Sequence, residues 1–229
     1  QFSSFLNAEI VQDITVRDYV SEVNGLLLAS NRIKATKTND PALWVSEAYG
    51  ITKTTSDVIG LGIIRRSDPV FNTKQKELYK QIITTLNKSN TKWQLFCNGE
   101  VADQNFALEL LQEMGLSPDH VAPRPLIPEQ LVKLIASYQA IISFRLHSHI
   151  IATSLGIPGI GMTWDKKVNF FFSSFGCEDR CFSVNSSAAE ILSKLDTIKN
   201  IPFSSTELVS QKKFIKTKLN TSIQRIFHS

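Results

Sequence analysis

Arg145 and His147 stand two residues apart in the run Ser143-Phe-Arg-Leu-His-Ser-His-Ile150, and His149 takes the next alternate position. A guanidinium offers a rigid fork of donors suited to phosphate or carboxylate, and an imidazole near its ordinary pKa can deliver a proton at neutral pH. Together they are equipment for holding a small anion and protonating it. Further cations occur as Arg65-Arg66, Arg124 and Lys166-Lys167, with Asp165 just ahead of the lysines. The His-x-His also reads as a metal pair, but only His120 and His228 remain as further histidines, so a metal centre is the weaker reading.

The hydrophobic pattern supplies the elements that carry these groups. Short β-branched runs at 58–64, 93–97, 120–122, 140–144 and 157–162 alternate with helical periods at 74–87, 101–114, from Pro128 onward, 148–155 and through the aromatic run 170–175. That alternation predicts βαβ units and a parallel sheet with helices on both faces, an α/β Rossmann-like fold. Within 101–114, Ala107, Leu110, Leu111 and Met114 repeat at helical spacing, and Gly115 stops the helix. Ligands of such sheets bind beyond the carboxyl ends of the strands. Arg65, Arg66, Arg124, Arg145, His147, His149, Lys166 and Lys167 all fall at those ends, next to helix starts whose backbone N–H groups also favour anions.

Near the end, Ser204 and Glu207 form a capping box, after which Leu208, Ile215, Leu219, Ile223 and Ile226 trace one helical face that needs a docking surface. Residues 1–50 read as the tail of another domain, with candidate strands at 14–16 and 33–36 around a helix carrying Val20, Val23 and Leu27, and 46–56 reads as a linker. A start at Gln1 reads as a piece of a longer protein.

Composition narrows the function. The 25 basic and 21 acidic residues are scattered, so no block of charge suggests a nucleic-acid arm. No apolar stretch approaches the roughly 20 residues of a membrane helix, which reads as a cytoplasmic protein. Cys97, Cys177 and Cys181 are an odd set without a second ligand pair, arguing against a disulfide framework or a zinc site.

The run from Ser143 to Ile150, then Ala152, Gly156-Ile-Pro158 and Trp164-Asp-Lys-Lys-Val168, resembles the polysaccharide pyruvyl transferase family. That family typically shows Arg-Leu-His before a helix, a Gly-Val-Pro strand entry and Tyr-Asp-Pro-Lys-Val before an aromatic helix. Thr15-Val-Arg-Asp18 with Ser21, and Asp40-Pro-Ala42, are similar to upstream family segments. Trp164 stands where Tyr is usual and Lys166 where Pro is common, so Lys167 inherits the lysine's role.

The resemblance implies a GT-B-like two-domain fold. Residues 1–50 would end the first domain, 51–204 would form a Rossmann-like donor-binding domain, and 205–229 would be a helix crossing back. It also implies phosphoenolpyruvate as donor, a saccharide acceptor, which could be a glycolipid at the inner face of the membrane, no cofactor and no nucleic acid. In the mechanism so implied, Arg145 with Arg65 or Arg66 grips the phosphate, with His149 on the same edge. Lys167 pairs with the carboxylate, His147 delivers the proton, and Asp165 orients Lys167 or the incoming hydroxyl. Two other readings stand beside it: a nucleotide-sugar glycosyltransferase, for which Glu100 is the nearest ribose-binding candidate, and a non-catalytic anion-binding module.

Overall fold

The computed structural model describes residues 2–29 and 33–227, with side chains through Gln224. The chain opens with α1 (Phe2–Leu6), β1 (Thr15–Val16), α2 (Val20–Gly25) and β2 (Thr36–Lys37), and β1 and β2 pair in parallel. A 3-10 turn (Pro41–Trp44) and α3 (Val45–Tyr49) lead to the larger unit. There β3 (Ile59–Gly62), α4 (Pro69–Lys88), β4 (Trp93–Phe96), α5 (Val101–Glu113), α6 (Pro128–Ala136), β5 (Ala140–Ser143) and α7 (Leu146–Ser154) follow in turn. They are succeeded by β6 (Gly159–Thr163), α8 (Lys166–Ser173), β7 (Cys181–Ser183), α9 (Ala188–Ile198) and α10 (Ser205–Phe227).

β3 to β7 form one parallel sheet in the order β4-β3-β5-β6-β7. β3 and β5 are buried at every position, as expected for strands covered on both faces. On one face Ile59, Leu61, Ile142, Ile160 and Met162 pack against apolar residues of α4, α5 and α9. On the other, Ile141 and Phe96 meet α6 and α7, and the aromatic cluster of α8 lies beside Leu43, Phe203 and Ile215. Each fully buried side chain such as Ile82 or Ile83 of α4 contributes about 1.5–3 kcal/mol through burial. α4 starts where Asp68 accepts the N–H groups of Val70 and Phe71 and Pro69 takes the first helical position.

Several expectations need correction. Residues 118–120 form a 3-10 turn, and only a single bridge, Leu95 with Val121, stands where a strand at 120–122 was expected. The expected linker is helical in its first part, since α3 runs to Tyr49, and Ser46 Oγ donates to the Ser154 carbonyl. β7 and α9 fill a stretch in which no element was expected. On α10, Ile215 is buried and Leu208 is partly covered by the aromatic cluster, whereas Leu219 and Ile223 are exposed. The side chain of Ile226 lies outside the described residues, as does His228. α10 is fastened to residues 13–47 by Asn39 with Gln211, Glu47 with Lys212 and Asp13 with Ser222.

Candidate functional site

From β3 the chain moves outward to β4, and from β5 it proceeds the other way to β6 and β7. The switch between β3 and β5 is where a parallel sheet opens a crevice beyond its strand ends. Of the expected cations, Arg66, Arg145, His147, Lys166 and Lys167 stand on the loops and helix starts after β3, β5 and β6, and Arg124 stands on the loop before α6.

Arg145 is the N-cap residue of α7, and its N–H donates to Ser143 Oγ at 3.1 Å. Ser143 has room because Gly62, its partner on β3, has no side chain; a Cβ there would collide with the Ser143 hydroxyl and with the Phe96 ring. The Arg145 guanidinium donates from Nε and Nη2 to one oxygen of Asp103, at 3.1 and 2.5 Å. Asp103, in the first turn of α5, is buried, and its other oxygen accepts the backbone N–H of Arg65 at 2.7 Å.

The two arginines after β3 diverge. Arg65 turns to the flank of α5, where Nη1 donates to both Glu109 oxygens at 2.8 and 2.9 Å and the guanidinium lies over Phe106. Arg66 is stacked with its guanidinium carbon 4.3 Å from the Trp164 ring centre and 5.1 Å from that of Phe71. Trp164 is itself fixed by donating Nε1–H to the Phe144 carbonyl at 3.2 Å. Arg66 therefore spans the rim from β3 to β6, and Arg65 is committed to an ion pair outside it.

His147 lies in the first turn of α7 with most of its side chain exposed, and its Nε2 is 3.8 Å from Asp40 Oδ2. Asp40 also pairs with Arg17 and caps the 3-10 turn through the Ala42 N–H. These upstream residues thus reach the histidine across a long stretch of sequence. Asp165 caps α8 by accepting the Lys167 N–H at 2.8 Å, and Lys167 Nζ stays half-exposed, 4.0 Å from the other Asp165 oxygen.

His149 does not join this rim. Two residues apart on a helix face nearly opposite ways, so the turn that exposes His147 drives His149 into the core. It is fully buried against Phe172; Nε2–H donates to the Ser143 carbonyl at 2.8 Å, and Nδ1 has no partner among the described residues. Burial pulls its pKa down to about 4, so it is neutral at physiological pH. The same geometry dissolves the His-x-His metal pair.

Beside His147 opens a cavity of about 480 Å³, with Asn98, Glu100, Arg124, Leu126, Ile127 and Ile151 among its walls. Its rim is fixed at Gly99, whose φ of 109° suits glycine and whose carbonyl accepts from Arg124 at 2.8 Å. Sequence reading missed Asp103 and the Asp40–His147 approach, because each joins residues far apart in the chain.

The sequence model described as polysaccharide pyruvyl transferase matches residues 4–166. No curated protein matches the chain. Among solved structures, Methanocaldococcus jannaschii UDP-GlcNAc 2-epimerase, in complex with UDP-GlcNAc and UDP, superimposes with a TM-score of 0.54 at 11% identity. The alignment covers 82% of this chain and 55% of that one, so the chain spans about half the length of its structural neighbour. At that identity the likeness shows the fold: a Rossmann-like parallel sheet of the GT-B kind.

Proposed function

The chain belongs to the polysaccharide pyruvyl transferase family, and on that premise we propose that the protein transfers pyruvate from phosphoenolpyruvate onto a saccharide as a ketal. The observation carrying this reading is that Arg66, Arg145, His147 and Lys167 leave the ends of β3, β5 and β6, neighbours in the sheet. Three fixed cations suit a small acid bearing both phosphate and carboxylate. Arg145 and Arg66 take the phosphate, and Lys167, held near Asp165, takes the carboxylate.

His147 protonates the terminal methylene carbon of the donor, and positive charge develops at the central carbon. A sugar hydroxyl attacks there and loses its proton. Phosphate departs with the electrons of its C–O bond, and a second hydroxyl adds to the cation left at the central carbon and gives its proton to the departed phosphate, closing the ketal. The cavity that His147 helps to line gives the acceptor an approach to the donor. Among the described residues no helix is long and apolar enough to cross a membrane. We assign the reaction to the cytoplasm, with a glycolipid at the membrane's inner face as one acceptor class.

The test is phosphate release from phosphoenolpyruvate by the complete natural chain in the presence of acceptor. Arg145→Ala is expected to lower it about 100- to 1000-fold; turnover near wild type refutes the assignment. A second reading, nucleotide-sugar transfer, draws on Glu100 at the cavity wall. Consumption of a nucleotide sugar in place of phosphoenolpyruvate would establish it.

A further inference from the structure

We infer that Asp103 is a positioning residue that fixes the phosphate-binding fork of Arg145 and the loop after β3 as one unit, an inference that rests on the donor reading above. A buried carboxylate is costly unless every oxygen is paired, and Asp103 is paired on both sides of the switch point. One oxygen holds the Arg65 N–H, which sets the turn that sends the Arg65 side chain outward and leaves the next residue, Arg66, against Trp164. The other takes Nε and Nη2 of Arg145. With the Arg145 N–H held by Ser143, both ends of that residue are anchored.

The Nη1 edge of Arg145 is left without a protein partner among the described residues, and its side chain is 30% exposed. Asp103 therefore occupies one edge of the guanidinium and presents the other to the ligand. It touches no reacting atom. Its effect is orientation, where a displacement of about 1 Å can cost on the order of 100-fold in rate.

Asp103→Asn tests this in the complete natural chain. The amide oxygen still accepts the Arg65 N–H, but the amide nitrogen faces the Arg145 donors and cannot accept from them. The expected result is a loss on the order of 100-fold in kcat/KM for phosphoenolpyruvate, an unchanged KM for acceptor and a thermal midpoint within a few degrees of wild type. Adding the substitution to Arg145→Ala should cost little more, since the residue it acts through is already gone.

Wild-type donor kinetics in Asp103→Asn overturn the inference, as does a full additional loss in the double variant. Should the asparagine variant fail to fold, the unaltered enzyme supplies the readout. The Arg145 Nε–H resonance is expected to exchange slowly and to persist when phosphoenolpyruvate is added. Its disappearance on addition shows the carboxylate releasing the arginine, which is the opposite of positioning. If the unaltered enzyme does not consume phosphoenolpyruvate at all, the donor reading fails first.

Discussion

Acid should weaken this protein through one buried side chain. His149 is fully enclosed, hydrogen-bonded through Nε2, and carries a pKa lowered to about 4, chiefly by burial, against an unfolded value near 6.5. Between those values the unfolded chain binds a proton that the folded chain refuses, so stability falls as pH falls and the loss ends near the folded pKa. Worked through for one site, that removes about 2 kcal/mol between about pH 7 and pH 5. His149→Gln keeps an amide donor near the Nε2 position and removes the titration. Urea unfolding of both proteins at the two pH values isolates the effect. Wild type should lose roughly 0.5–1 M more of its midpoint than the glutamine variant over this window. Parallel loss in both would show that His149 is accessible to solvent or already protonated, and the core placement would be wrong.

Gly62→Ala should push the Ser143 hydroxyl off the Arg145 N–H, lowering stability by about 1–3 kcal/mol by thermal unfolding and reducing donor turnover with it. Arg66→Ala should raise the KM for phosphoenolpyruvate, whereas Arg65→Ala, which loses the half-exposed Glu109 pair and the contact over Phe106, both on the flank of α5, should leave it unchanged; steady-state kinetics on the two variants separate them. Leu43→Ala opens a cavity between the 3-10 turn and the aromatic cluster of α8 and should cost about 2–5 kcal/mol in chemical denaturation.

The central strands and their helices were legible because their signals are local: β-branched runs, a helix period and Gly or Pro at the boundaries. The positions of Arg145, His147 and Lys167 at strand ends were legible by the same logic, since residues just after a strand lie on the rim, whereas Asp165 was singled out through the family resemblance. What escaped depends on other information. β7 has three partly covered residues, too few to show a period. α9 did carry a signal, the Ser187–Glu190 capping box ahead of Ile191, Leu192, Leu195 and Ile198. His149 was misplaced because α7 begins at Leu146, earlier than its apolar pattern suggests, and that start sets which histidine faces inward. Arg65 and Arg66 are equivalent as text, and only Glu109 and Trp164, distant in sequence, tell them apart.

The central claim is that the exposed imidazole of His147 gives its proton to a donor held by cations from neighbouring strand ends. Its most direct test is turnover of phosphoenolpyruvate and acceptor by the complete natural chain with His147→Gln, run in deuterated water so that the hydron delivered to the pyruvyl methyl group is counted. Loss of about 100- to 10,000-fold in product, with donor binding retained, is the expected result. Deuterated product formed at the wild-type rate would contradict it.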